Sequence, residues 1–322
     1  LPCIGGSGKA GSSDILVCEA CEFVDTFLKL YPDTSVILNI DADHLDYFKT
    51  LDNIIASFRK FAEKTTKTLI VNADDANTMK AIAGLTNKNI ITFGTADTCD
   101  YYPVNIKKAG GVQTTYELMH KGEKLCDITL NVPGTHNILN SVAAAAAAHS
   151  AGASPEFIAK GLEEFGGAKR RFEIIGKKRG ITVADDYAHH PAELTVTLNA
   201  AMEMGFNKVW AVFQPFTFSR TSLLLDDFAA ALSIPDKAVL TNIMGSREKN
   251  TIGIYTKDLA DKIDGCIYFD KDKTAEQTNE CKQADFDKIT DFLCENAEEG
   301  DLIITMGCGD VYKVAKAVYS KL

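Results

Sequence analysis

The stretch TVADDYAHHPAEL (residues 182–194) changes its pattern half-way along. A β-branched run ends at Asp185 and Asp186. After Tyr187, His189 and His190, Pro191 followed by Glu193 has the composition of a helix start. A strand that passes directly into a helix is one unit of an α/β sheet. Ligands of open α/β sheets collect beyond the carboxyl ends of the strands. The acids, phenol and imidazoles of residues 185–190 therefore read as a capped turn, a metal nest or one wall of a catalytic site.

The same alternation extends in both directions. Downstream, KVWAVFQP, KAVLTNI, CIYF and DLIITMGCG read as strands, with helices at AELTVTLNAAMEMG, LLLDDFAAALS, TKDLADKI and FDKITDFLCENA. Together they predict a Rossmann-like domain of about 150 residues. Upstream, GGAKRRFEIIG reads as a domain joint. Before it, DILVCEA, SVILNI, TLIVNA and NIITFG read as buried strands of a doubly wound parallel sheet, with DNIIASFRKFAEKT as a connecting helix. The turn-rich segment from Tyr101 to Gly134 predicts antiparallel hairpins on the edge of that sheet. The alanine run 143–148 predicts a close-packed helix ended near Gly152, and Ser154 with Pro155 opens the next one. The expected domains are residues 1–170 and 171–322.

A chain of 322 residues with 46% hydrophobic and 24% charged content has the composition of a globular protein. The net charge of −10, with scattered Lys and Arg, gives no footprint for nucleic acid. No apolar run approaches the ~18 residues of a membrane helix, so no membrane partner is expected. Nine cysteines without a tight framework suit the reduced thiols of a cytoplasmic protein. Oligomeric state is not legible.

Candidate chemistry gathers at the strand ends. Glu19 and Glu22, then Asp41, Asp43, His44 and Asp46, then Asp74 and Asp75 follow successive apolar runs. They can hold Mg²⁺, which needs few protein ligands, or serve as ordinary caps and turn formers. Cys18 and Cys21 form a C-x-x-C without the second pair that zinc requires. GGSGKAGSS lacks the spacing and Ser/Thr of a phosphate loop, which weakens Lys9 as a phosphate ligand. His136, Asn137 and Asn140 cluster at a helix start, where Asn caps or two amides read a purine edge. Arg170 and Arg171 at the joint are either solvated or phosphate-binding. Arg220, after FQPFTFS, suits a carboxylate or phosphate. The glycine turn MGCGD (306–310) favours close packing or approach to a ligand.

These segments together resemble the Mur ligases of peptidoglycan synthesis. The resemblance rests on EACEFVDTFL, NIDADHLDYF, GTHNILN, KRRFE, VADDYAHHPAEL, FQPFTFSRT, REKNTIGIYTKDLA and GDLIITMGCGDVY, in the family's order and spacing, over nearly the whole chain. It implies a central P-loop-type ATPase domain, with a mostly parallel sheet and added antiparallel strands, plus a C-terminal Rossmann-like domain. The branch it resembles most joins L-alanine to the lactyl carboxylate of UDP-N-acetylmuramate through an acyl phosphate, with ATP and Mg²⁺. On that resemblance Glu19 and His44 hold Mg²⁺, Asn137 and Asn140 lie toward adenine, and His136 is a further cofactor-binding residue. Arg171 and Asp186 lie toward the phosphate and ribose, while Tyr187, His189 and Arg220 face the amino acid and the sugar carboxylate, with His189 as base. The family's UDP-binding domain and phosphate loop are not found here, so the chain is expected to be an inactive fragment. The alternatives are a non-catalytic nucleotide-binding module, or a ligase for glycine or serine. Departures are Phe216 and Phe218, where relatives carry His and Tyr, Phe58, where sister ligases carry a modified lysine, and TNIMGSRE.

Overall fold

The computed structural model describes residues 4–42, 44–108, 112–269 and 279–322. Asp43, the Asp46 side chain and the Gly110–Gly111 turn lie outside the described residues. The chain divides into two compact units, one ending at Gly166 and the other running Gly167–Leu322.

The first unit is built on a six-stranded sheet: β1 (Thr34–Ile37), β2 (Thr68–Asn72), β3 (Asn89–Phe93), β4 (Tyr101–Lys108), β5 (Thr114–His120) and β6 (Glu123–Leu130). The strands lie side by side in sequence order, β1 to β4 parallel and β4 to β6 antiparallel. Alternation along β2 divides the core. Leu69 and Val71 pack with residues of helices α2 (Leu51–Lys64) and α3 (Ala76–Ile82). Ile70 packs with residues of α4 (Thr135–Ser150) and α5 (Pro155–Glu163). Both faces are thus covered, as a doubly wound sheet requires, but the strand order never reverses. Local chemistry sets the helix starts: Thr50 accepts from the Asn53 N–H for α2, and Asp75 from the Thr78 N–H for α3. The short helix α1 (Leu45–Phe48) precedes α2.

One expected strand is absent. DILVCEA forms no ladder, and Leu16 and Val17 are 88% and 89% exposed. An apolar extended run becomes a strand only where a neighbour accepts its backbone hydrogen bonds, and none does so among the described residues.

The second unit holds the other sheet: β7 (Glu173–Lys178), β8 (Ile181–Asp186), β9 (Val209–Phe213), β10 (Lys237–Leu240), β11 (Ile267–Tyr268) and β12 (Leu302–Met306). The order is β11-β10-β9-β12-β8-β7, parallel except for β7. Helices α6 (Pro191–Met202), α8 (Leu225–Leu232) and α9 (Thr256–Ala260) cover one face. Helices α10 (Asn279–Asn296) and α11 (Tyr312–Lys321) cover the other. The short α7 (Phe218–Leu223) follows β9. Register aligns Asp186, Met306 and Phe213 across β8, β12 and β9. The next residues, Tyr187, Gly307 and Gln214, therefore begin three adjacent loops on one edge.

Candidate active site

The carboxyl edge of the second sheet carries a buried charge network. Asp185 receives the Arg170 Nε–H at 2.9 Å on one oxygen and the Thr305 hydroxyl at 2.6 Å on the other. Burial pushes its carboxyl above the usual range, against the lowering effect of Thr305 and Arg170. Arg170 also donates from Nη2 to the Gly307 carbonyl, and its guanidinium lies 4.8 Å from the Tyr187 ring centroid and 5.0 Å from that of Tyr312. Backbone φ values of 59° at Arg170 and 46° at Phe172 turn the joint tightly enough to allow this. Asp186 spends its two oxygens on the backbone N–H groups of Phe172 and Ala188, both at 2.7 Å. Burial also raises its carboxyl. The paired carboxylates thus act first as clamps on the joint and on the loop after β8.

The loop residues above them are more open. Tyr187 is 36% exposed, and its ring meets Arg171 at 5.8 Å and the edge of His189 at 5.4 Å. Glu193 in the first turn of α6 accepts the backbone N–H groups of His189 and His190, which holds the loop against the helix. The His189 Nδ1 lies 3.1 Å from the Tyr187 carbonyl and 3.3 Å from the Glu193 carboxylate. Both are acceptors, so Nδ1 carries the proton of the neutral ring and Nε2 the lone pair. Burial lowers the His189 pKa, as do the Arg220 and Arg171 charges, with Glu193 and Tyr187 opposing.

Arg220 sits on α7. Thr217 caps that helix, and the TNIMGSRE loop holds it: the Thr217 N–H donates to Met244 O and the Ser219 N–H to Glu248, both at 2.9 Å. Phe218 packs against Gly245, and Phe216 meets His189 at 6.4 Å. Among the described residues the Arg220 guanidinium makes no hydrogen bond or ion pair, and its Nη1 is fully enclosed. It acts electrostatically on His189, Glu248 and Cys308.

In the first unit the candidates separate. His44 Nε2 lies 3.5 Å from the Glu22 carboxylate, and its ring meets Phe23 at 4.7 Å. Glu19 is exposed and, among the described residues, makes no hydrogen bond or ion pair. Asp74 and Asp75 bind backbone, accepting from the Thr95 and Thr78 N–H groups at 2.8 and 2.6 Å. They are turn formers. No group of three or more His, Cys, Asp or Glu able to hold a metal occurs among the described residues. An imidazole and a carboxylate still suit Mg²⁺ that keeps waters and takes phosphate oxygens. Cys18 and Cys21 are exposed free thiols.

At the start of α4, Gly134 rather than Asn takes the cap position, with φ of +96° and the His136 ring packed where a Cβ would stand. Asn137 reaches back to the Pro133 carbonyl at 2.7 Å, and its Oδ1 lies 3.2 Å from Asn140 Nδ2. One amide is an anchor and the other is exposed. Phe58 packs edge-on against Phe27, with centroids 5.1 Å apart.

A family model described as Mur ligase middle domain matches residues 8–148, and one described as Mur ligase, glutamate ligase domain matches residues 170–309. A curated relative from Caldanaerobacter subterraneus subsp. tengcongensis, named UDP-N-acetylmuramate--L-alanine ligase, is 42% identical over 318 residues. The alignment covers 98% of this chain and 67% of the relative. The chain belongs to the Mur ligase family. Its fold is that of the middle and C-terminal Mur ligase domains. The solved UDP-N-acetylmuramate-alanine ligase of Thermotoga maritima superposes with a TM-score of 0.72 at 24% identity, over 92% of this chain and 61% of that one. The MurF ligase of Thermotoga maritima, solved in complex with ADP, superposes with a TM-score of 0.67 at 17% identity, over 92% of this chain and 63% of that one. This Mur ligase chain thus spans about two thirds of the curated relative and somewhat less of the solved ones. Among its described residues no helix is long and apolar enough to cross a membrane.

Sequence reasoning selected Tyr187, His189 and Arg220, which share one edge of the Mur ligase chain's second unit. It weighed Arg170 with Arg171 and Glu19 with Glu22 before taking Arg171 and Glu19; in the structure Arg170 forms the buried pair and Glu22 adjoins His44. It passed over Gln214 and Thr305. Gln214 lay inside FQPFTFSRT without a role of its own, and the glycine turn, whose missing side chains make room for it, was read apart from it.

Proposed function

We propose that the intact protein joins L-alanine to the lactyl carboxylate of UDP-N-acetylmuramate, forming ADP and phosphate. The observation that carries this reading is Arg220, a half-buried guanidinium without a partner among the described residues, within electrostatic reach of a neutral His189. An incoming α-amino acid carries a carboxylate for the arginine fork and an ammonium whose proton an imidazole can take. The reaction requires both. The sugar carboxylate takes the γ-phosphoryl group of ATP. His189 Nε2 then removes the proton from the alanine ammonium, and the free amine attacks the acyl phosphate. Tyr187 packs beside His189 and closes that side of the site.

On the nucleotide side the reading assigns Asn137 and Asn140 to the adenine end, His136 to the cofactor without a finer place, and Arg171 and Asp186 to the phosphate and ribose. Glu19 and His44 would hold Mg²⁺, which supplies charge neutralisation of the phosphoryl oxygens. No G-K-[ST] phosphate-loop sequence occurs in the 322 residues. The chain by itself is therefore proposed to release no ADP. The name of the curated relative supports the substrate pair, and the ADP held by the solved MurF ligase supports the nucleotide. The test is L-alanine-dependent ADP release in the presence of UDP-N-acetylmuramate, measured on the product of the complete reading frame. Absence of release there overturns the reading and favours a non-catalytic nucleotide-binding module.

A further inference from the structure

Gln214 is the first residue after β9 and is only 2% exposed. Its backbone N–H donates to Met306 O at 3.0 Å, and its Oε1 accepts the Asp310 N–H at 2.9 Å. With Oε1 committed to a donor, the amide orientation is settled and Nε2 is the other arm. Among the described residues Nε2 has no acceptor. It is also absent from the polar atoms sealed away without a partner, so it is not fully enclosed. On a residue this buried, a donor with little access to water and no protein acceptor costs free energy that a ligand acceptor would recover.

The surroundings are donors as well. The N–H group of Gly309, just ahead of α11, makes no hydrogen bond among the described residues. Gly309 is a glycine because a Cβ there would stand 2.3 Å from Gln214 Oε1 and 2.5 Å from Met244 Sδ. The glycine turn lets Gln214 slide beneath it. Arg220, on the helix α7 that follows the loop begun by Gln214, acts electrostatically on Cys308 and His189. The edge between β9 and β12 is also where the chain order reverses: β9 is followed by elements leading to β10, and β12 by a helix packed on β8 and β7. Such a reversal opens a crevice for ligands.

We propose that Gln214 is a substrate-binding residue whose Nε2 donates to the carboxylate of the incoming amino acid, alongside Arg220, so that the amine end is turned to His189. The proposal rests on the ligase reading above. It assigns Gln214 two functions: its oxygen pins the turn before α11, and its nitrogen helps select a ligand with a carboxylate. Arg220 supplies the charge, and Gln214 fixes which way the carboxylate plane lies.

Gln214→Glu separates the two. It keeps an oxygen for the Asp310 N–H and replaces the free donor with a second acceptor. In the intact protein the KM for L-alanine should rise by about tenfold or more, because a carboxylate would face a carboxylate, while the KM for ATP stays within about twofold. An unchanged KM for L-alanine, with ADP release intact in the wild type, overturns the proposal and leaves the ligase reading standing. If the wild type shows no L-alanine-dependent release, or the variant does not fold, a second measurement decides. The side-chain amide resonance of Gln214 is followed in the 15N-labelled wild-type chain as acetate is added. A saturable shift keeps the carboxylate contact, and its absence removes it.

Discussion

Arg170 and Asp185 meet at 2.9 Å in a pair whose carboxylate side chain is only 3% exposed. That pairing links a residue near the start of the second unit to the strand beneath the candidate site. Removing the cation leaves a buried carboxylate with one hydroxyl for company. Arg170→Met should therefore lower unfolding free energy by on the order of 3 kcal/mol, read by denaturant titration. Adding Asp185→Asn should restore much of the loss, since the orphaned charge is gone. Equal losses in the single and double variants would mean the pair contributes through packing alone.

His189 gives a pH dependence with a definite sign. Its folded pKa lies below the ordinary value of about 6.5, so the unfolded chain binds this proton more readily. Stability contributed at this site is complete above that value and falls as pH drops through it. The neutral, basic form likewise persists to lower pH in the folded protein. Arg171→Ala removes a cation that holds the pKa down, so the acid limb of kcat/KM should move to higher pH. An acid limb that stays put or moves lower would show that His189 is not the titrating base.

The glycine turn supplies a third expectation. Gly309→Ala drives a methyl group into Gln214 and Met244, and should cost about 2 kcal/mol and slow the reaction. Gly11→Ala is the control, since nothing stands within 4 Å of the added carbon and its φ is not positive. Calorimetry of both variants, with rates beside it, checks the contrast.

The two amides of α4 should also differ. Asn137→Ala loses the bond to the Pro133 carbonyl and should lower stability by about 1 kcal/mol. Asn140→Ala, at an exposed position, should stay within about 0.5 kcal/mol. If Asn140→Ala proved the costlier, the anchor would have been assigned to the wrong amide.

Much of this architecture could be read from residue order, because buried parallel strands announce themselves as β-branched runs with polar ends. The lines TLIVNA and DLIITMGCG became β2 and β12 for that reason. DILVCEA has the same composition and did not, because a strand depends on a neighbour that composition does not reveal. At the site, the cluster around Tyr187 and His189 was visible because unusual residues crowd into a few positions. Arg170 and Arg171 were not distinguishable, since only the positive φ values around Phe172 decide which one turns inward. Gln214 was hidden more deeply. It lay inside FQPFTFSRT without a role of its own, because its contacts come from a turn 93 to 96 residues later, at Gly307 and Asp310.

The strand that completes the C-terminal sheet is the last one made. β12 lies between β8 and β9, yet it emerges after every other strand of its unit. On the ribosome β8 has only β7 beside it, and β9 only β10, until Leu302–Met306 clears the exit tunnel. Two half-sheets with open apolar edges must therefore wait through most of the unit's synthesis, and become one only at its end. Chains released before that point cannot form this sheet, which makes early termination a source of sticky, degradable fragments rather than of shortened enzyme.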